Sequence, residues 1–170
     1  FNTQKPQTIP NGFDQDDFGE DSRRPSLGKL KLVFAGTLYD QTTHIINELV
    51  IVLDNIKTIR PELYHAIELD FYGTVQEGFR ELTARHANIK FHGKVALKKV
   101  YEVITEATGC MLVLADESTF SFSTKFFEYV GLRKPIVVFA NRGFTQEYIE
   151  EHKIGVAIQN GNIEKGLLDL

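Results

Sequence analysis

The sequence predicts an α/β domain in three layers, a parallel sheet of about six strands with helices on both faces. Three observations predict it. Short apolar runs alternate with helical segments, and short connections join them. The runs are continuously apolar, as strands buried on both sides are. The length, 170 residues, suits one domain with a sizeable core.

The elements follow in order. Residues 1–28 read as a linker. Pro6, Pro10, Gly12, Gly19, Pro25 and Gly28 punctuate it, and Asp14, Asp16, Asp17, Glu20 and Asp21 form an acidic run. These carboxylates lack EF-hand spacing and its closing glutamate, so a solvated connector is the reading. The domain proper is residues 29–170. Residues 29–35 (KLKLVFA) form a buried strand ended by Gly36. Residues 42–59 form a helix with Ile45, Ile46, Leu49, Val50, Leu53 and Ile56 on one face, closed by Pro61. A strand at 67–72, a polar helix at 75–85 and a short strand at 89–92 come next. A helix at 97–107 then turns Val100, Val103, Ile104 and Ala107 inward. The apolar run 110–115 (CMLVLA) reads as a central strand, followed by a helix at 124–130 that Gly131 and Pro135 terminate. A strand at 136–139, a helix at 145–152, a strand at 156–158 and a helix from Ile163 complete the pattern.

Composition excludes several classes. The net charge of −4 offers no broad attraction to nucleic acid or anionic lipid. The single cysteine, Cys110, rules out an internal disulfide and reads as a small buried hydrophobe. The five histidines are scattered, with no H-x-x-x-H pair, so no metal site is expected. No apolar stretch has membrane-spanning length and no secretory signal opens the chain, which points to the cytoplasm. The chain begins at Phe1 without a methionine, as a piece of a longer protein would. No G-x-G-x-x-G or G-x-x-x-x-G-K-[ST] loop is present, which removes ordinary dinucleotide and ATP readings.

Ligands of parallel α/β sheets bind outside the carboxyl ends of the strands. That narrows the site to four turns, at 36–40, 73–75, 93–96 and 116–124. Gly36 and Thr37 form either an ordinary strand-to-helix turn or a place where a phosphate comes close to the backbone. Ser121, Ser123 and Thr124 open a helix, where hydroxyls cap free N–H groups or the helix end holds an anion. Lys125 and Glu128 are three residues apart and share one helix face. They read as an ion pair, or as a cation for phosphate and a carboxylate that accepts from the vicinal hydroxyls of a ribose. Gly93, Lys94 and Val95 form either a solvated turn or a backbone surface for a flat base.

Five segments, in this order, resemble the donor-binding, C-terminal half of family 4 (group 1) glycosyltransferases. They are IPNGFDQDDF at 9–18, LVFAGTLYD at 32–40, IKFHGKVALKKVYEVITEATGCMLVL at 89–114, TKFFEYVGLRKPIVVF at 124–139 and the closing IGVAIQNGNIEKGLLDL. The resemblance implies a Rossmann-like domain that is one half of a GT-B fold. It implies a retaining, metal-independent transferase acting on a nucleotide-diphospho-sugar, UDP- or GDP-linked, with no separate cofactor. On this reading Glu128 holds the ribose. Gly36 and Thr37 lie near the diphosphate, and the 120–124 loop with Ser123, Thr124 and Lys125 faces the sugar and phosphates. Backbone at Lys94 and Val95 touches the base; the catalytic residues are unassigned.

The pattern departs from the family at two places. The first glutamate of its E-x7-E motif falls at Phe120, and no Lys or Arg lies between Lys31 and Lys57 to neutralise the diphosphate. These departures leave a second expectation, a degenerate, non-catalytic binding or interaction module. On the enzyme reading the partners are the donor, an acceptor glycan or glycolipid and an N-terminal domain absent from this chain. Half a cleft then transfers little sugar alone. The setting is polysaccharide or glycolipid synthesis, in the cytoplasm or peripherally at the inner membrane face. Phe13 and Phe18 pack either on this domain or on the absent one.

Overall fold

The computed structural model describes residues 11–18, 28–116, 121–159 and 161–169. The elements are β1 (Leu30–Thr37), α1 (Thr43–Ile59), α2 (Pro61–Ala66), β2 (Ile67–Thr74), α3 (Glu77–Thr83), β3 (Ile89–Gly93) and α4 (Leu97–Glu106). They continue with β4 (Gly109–Val113), α5 (Thr124–Gly131), β5 (Ile136–Phe139), α6 (Phe144–Glu151), β6 (Gly155–Ile158) and α7 (Ile163–Leu168). The six strands form one sheet in the order β3-β2-β1-β4-β5-β6, and every pairing is parallel.

Alternation along each strand builds the two cores. Leu32 and Phe34 of β1, Leu69 and Phe71 of β2, and Val137 and Phe139 of β5 face α1, α3 and α7. Val33, Ala35, Cys110, Leu112, Ile136 and Val138 face α4, α5 and α6. The helix stripe from Ile45 to Ile56 is buried as its spacing predicts. Cys110 is fully buried, and burial pushes its thiol well above the ordinary range, so it is an inert core residue.

Pro61 and the ends of β1 and β2 depart from the sequence expectation for physical reasons. Pro61 does end α1, but it also opens the short helix α2, because the first helical position needs no N–H. β1 and β2 run past their glycines: Gly36 pairs with Gly73 and Thr37 with Thr74. The turn before α1 is a 3₁₀ turn, Asp40–Thr42. Residues 15–17 of the linker form a 3₁₀ turn capped by Asp14, whose side chain accepts from the Asp16 N–H. Phe18 meets Tyr101 of α4 edge-on at 5.0 Å, and Phe13 lies 5.5 Å from Phe18. Both rings cover Gly131, where an added Cβ would collide with them. The linker aromatics therefore pack on this domain. Residues 1–10 and 19–27 of the linker lie outside the described residues.

His86 ties α1 and α2 together. It is buried, its Nδ1 lies 3.1 Å from the Tyr64 hydroxyl, and its Nε2 lies 3.4 Å from Asp54, which Arg85 also holds. Burial pulls the imidazole below its ordinary 6.5, only partly opposed by Asp54. The folded chain therefore binds fewer protons here than the unfolded chain once the pH falls below 6.5. Stability from this site is intact above that value and declines as the pH drops through it towards the lowered native pKa. Urea midpoints measured at about pH 7.5 and 5.5 should fall on acidification, and a flat profile over that window would contradict the assignment.

Candidate functional site

The sheet reverses its winding between β1 and β4, and there the strands separate. Only Leu32 and Val33 pair with β4, opposite Gly109 and Cys110. Beyond them Tyr129 of α5, fully buried, fills the gap, and the Ala35 N–H donates to its hydroxyl at 3.1 Å. Burial keeps that phenol far above its usual pKa and hence neutral. Tyr129 thus satisfies a backbone donor that has no strand partner and draws α5 beneath the strand ends. Tyr129→Phe leaves that N–H buried and unsatisfied and should cost about 1–3 kcal/mol in a denaturant melt; an unchanged midpoint would mean the hydroxyl carries no structural weight.

Above Tyr129 lies an open cleft of about 850 Å³. Its walls are the end of β1 (Phe34, Gly36, Thr37), the following turn (Tyr39, Gln41, Thr42), the end of β4 and its extension (Leu112 to Ala115) and the start of α5 (Ser123, Thr124, Lys125). The structure therefore brings Gly36, Thr37, Ser123, Thr124 and Lys125 together from two turns far apart in sequence. Ser123 caps α5, its side chain accepting from the Phe126 N–H at 3.4 Å. Lys125 reaches across the floor, its Cε 3.7 Å from where a Cβ on Gly36 would stand. Its Nζ donates to both oxygens of Glu128, at 3.1 and 3.3 Å. The approach to α5 is held from α6, and the chain just past β4 is held from the turn before α6. Thr145 donates to the Ser121 carbonyl at 3.0 Å, and Asn141 donates to Asp116 at 2.7 Å.

Lys94 and Val95 lie apart from this group. They are exposed on the turn between β3 and α4, and they do not line the cleft. Phe120, where the family's first glutamate would stand, and Glu117 lie outside the described residues. Sequence reasoning reached Tyr39 only as part of the 36–40 turn, and did not name Gln41, Thr42 or the wall from Leu112 to Ala115 as site residues. Their position at or just beyond the carboxyl ends of two strands was the signal that could have found them. Among the described residues, no three His, Cys, Asp or Glu side chains gather as a metal-holding group, and no helix is long and apolar enough to cross a membrane.

The strand order and the cleft between β1 and β4 define a doubly wound, Rossmann-like domain with a ligand-sized crevice at its switch point. A family profile described as glycosyl transferases group 1 matches residues 29–169, and the chain belongs to that family. No curated protein matches it by sequence. Among solved structures, it is similar to WaaG, a glycosyltransferase involved in lipopolysaccharide biosynthesis, with TM-score 0.69 and 16% identity, covering 95% of this chain and 47% of that one. It is similar to HepE of Anabaena in complex with UDP and glucose, with TM-score 0.67 and 14% identity, covering 96% and 45% of the two chains. A glycosyltransferase from Rickettsia africae gives TM-score 0.68 and 14% identity, covering 94% and 44%. At these identities the likeness is one of fold. The chain spans about half the length of these proteins and has the architecture of one half of a GT-B fold.

Proposed function

We propose that this chain is the donor half of a glycosyltransferase and holds a nucleotide-diphospho-sugar in the cleft between β1 and β4. One observation carries the reading. A close-approach turn, a helix N-terminus and a cation converge at one crevice, and the carboxylate of Glu128 stands beside it as the cation's partner; together these are groups that can hold a nucleoside diphosphate. The N–H groups at the start of α5 and Lys125 face the diphosphate, and the lack of a side chain at Gly36 admits it to the backbone. As the sugar leaves, charge builds on that diphosphate, and fixed donors aimed at it lower the barrier. Glu128 accepts from the ribose, and the base extends beyond the cleft towards the turn between β3 and α4, where backbone at Lys94 and Val95 meets it. The UDP complex of HepE, a protein of the same fold, supports a UDP donor; a GDP donor is the alternative.

Retention of configuration and independence of metal follow from the family resemblance. An N-terminal domain of the same protein supplies the acceptor side, for a glycan or glycolipid, in the cytoplasm or at the inner membrane face. Without it both substrates are not held in one cleft, so the 170-residue chain alone transfers little. Calorimetric titration with UDP and GDP tests the reading: one should bind saturably, and binding of neither at millimolar concentration would overturn it.

One observation favours a second reading, a non-catalytic module of the same fold. Lys125 is the only charged side chain among the described residues that line the cleft, and Glu128 already neutralises it. The same titration separates the two, because a module that has lost its donor site binds neither nucleotide.

A further inference from the structure

The ion pair between Lys125, which lines the cleft, and Glu128 beside it is more than a helix-surface contact. One ammonium straddles both carboxylate oxygens, at 3.1 and 3.3 Å. The side chains are only 30% and 19% exposed, so solvent screens the pair less than one on an open helix face. No second cation lines the cleft among the described residues. The two groups that would recognise phosphate and ribose therefore spend the unliganded state on each other.

We infer that Lys125 and Glu128 form a selectivity lock that favours ligands carrying a diphosphate and a vicinal diol in one molecule. This rests on the donor-site reading and deepens it. A phosphate arriving alone either shares the ammonium with Glu128, anion beside carboxylate, or parts the two and leaves a half-buried carboxylate unpaired. A nucleoside arriving alone frees Glu128 only by stranding the ammonium. A nucleoside diphosphate gives each group a new partner at once, the phosphate taking the ammonium and the diol taking the carboxylate. The pair thus discriminates against inorganic phosphate and pyrophosphate, which offer phosphate oxygens to the ammonium but no ribose to the carboxylate.

The lock makes an inverted prediction for its two halves. Freed of its carboxylate, Lys125 in Glu128→Gln should bind pyrophosphate about three- to tenfold more tightly than the unaltered chain does, the fold-change of a partly screened ion pair. Freed of its ammonium, Glu128 in Lys125→Met should bind the uncharged nucleoside more tightly by a similar factor, and general electrostatics does not produce that gain. Both variants should bind the nucleoside diphosphate more weakly. The affinities are read by calorimetric competition against UDP or GDP, whichever binds, with thermal melts confirming that each variant folds. If the nucleotide binds but Lys125→Met leaves nucleoside affinity unchanged or lower, the lock is wrong and the donor reading survives. If Glu128→Gln leaves pyrophosphate affinity unchanged, the lock is likewise wrong. If neither nucleotide binds the unaltered chain, the donor reading fails and the lock with it.

Discussion

Gly73→Ala should destabilise the domain by about 3–6 kcal/mol, a large part of the ~5–15 kcal/mol that holds a domain of this size together. Two independent causes add. Gly73 has φ +119°, a backbone region that side-chain-bearing residues rarely adopt. A Cβ built there would also fall inside the contact shell of the Gly36 carbonyl oxygen on the paired strand. That neighbour is backbone in the centre of the sheet and has no rotamer by which to retreat. The displacement would pass straight to the cleft, since Gly36 is part of its wall. A urea melt measures the loss, and a midpoint within error of the unaltered chain would show that the β1–β2 ladder yields more easily than its geometry implies. Gly36→Ala is the informative contrast. The nearest neighbours of its added Cβ are the Phe34 ring and the Lys125 side chain, at ordinary contact distances of 3.6–3.7 Å, so it should fold.

The second large effect falls on binding. Glu128→Ala should weaken the nucleoside diphosphate about ten- to a hundredfold, the loss expected when a charged acceptor of two hydroxyls is removed. The fold should barely respond. Glu128 is 19% exposed, and its partner Lys125 reaches solvent from the cleft, so losing the pair costs the helix less than about 1 kcal/mol. Titration with UDP and GDP beside a thermal melt reads both quantities. Unchanged affinity in a folded variant would remove Glu128 from the site, and a collapsed melt would mean that the carboxylate serves the fold.

Much of this molecule was legible in the sequence because its causes are local. Apolar runs marked all six strands, three of them closed by Gly36, Gly73 and Gly93, and they stood out most for central strands such as β4 and β5, which are buried on both faces. The stripe from Ile45 to Ile56 marked α1, since a helix burying one face repeats its apolar residues at helical spacing. α2 escaped because Pro61 is a stop signal for the helix before it and a start signal for the helix after it, and only the path of the chain distinguishes them. The extra length of β1 and β2 escaped because the residues that pair there are some 37 positions apart along the chain, Gly36 with Gly73 and Thr37 with Thr74.

The candidate site divides along the same line. The sequence by itself determined the α/β class, the six strands, the helix that Ser123 caps and the neighbourhood of Lys125 and Glu128, because residues within four positions on a helix meet wherever the helix sits. It also narrowed the search to four strand-end turns. Only the tertiary structure decided which of these turns meet. The strand order β3-β2-β1-β4-β5-β6 sets the turn after β1 against the start of α5, and leaves Lys94 and Val95 on the edge strand's turn, outside the cleft. Local spacing carries no term for that order, which is settled by how the whole sheet buries its two faces at once, and with it by the Tyr129 hydroxyl that bridges the gap where β1 and β4 part.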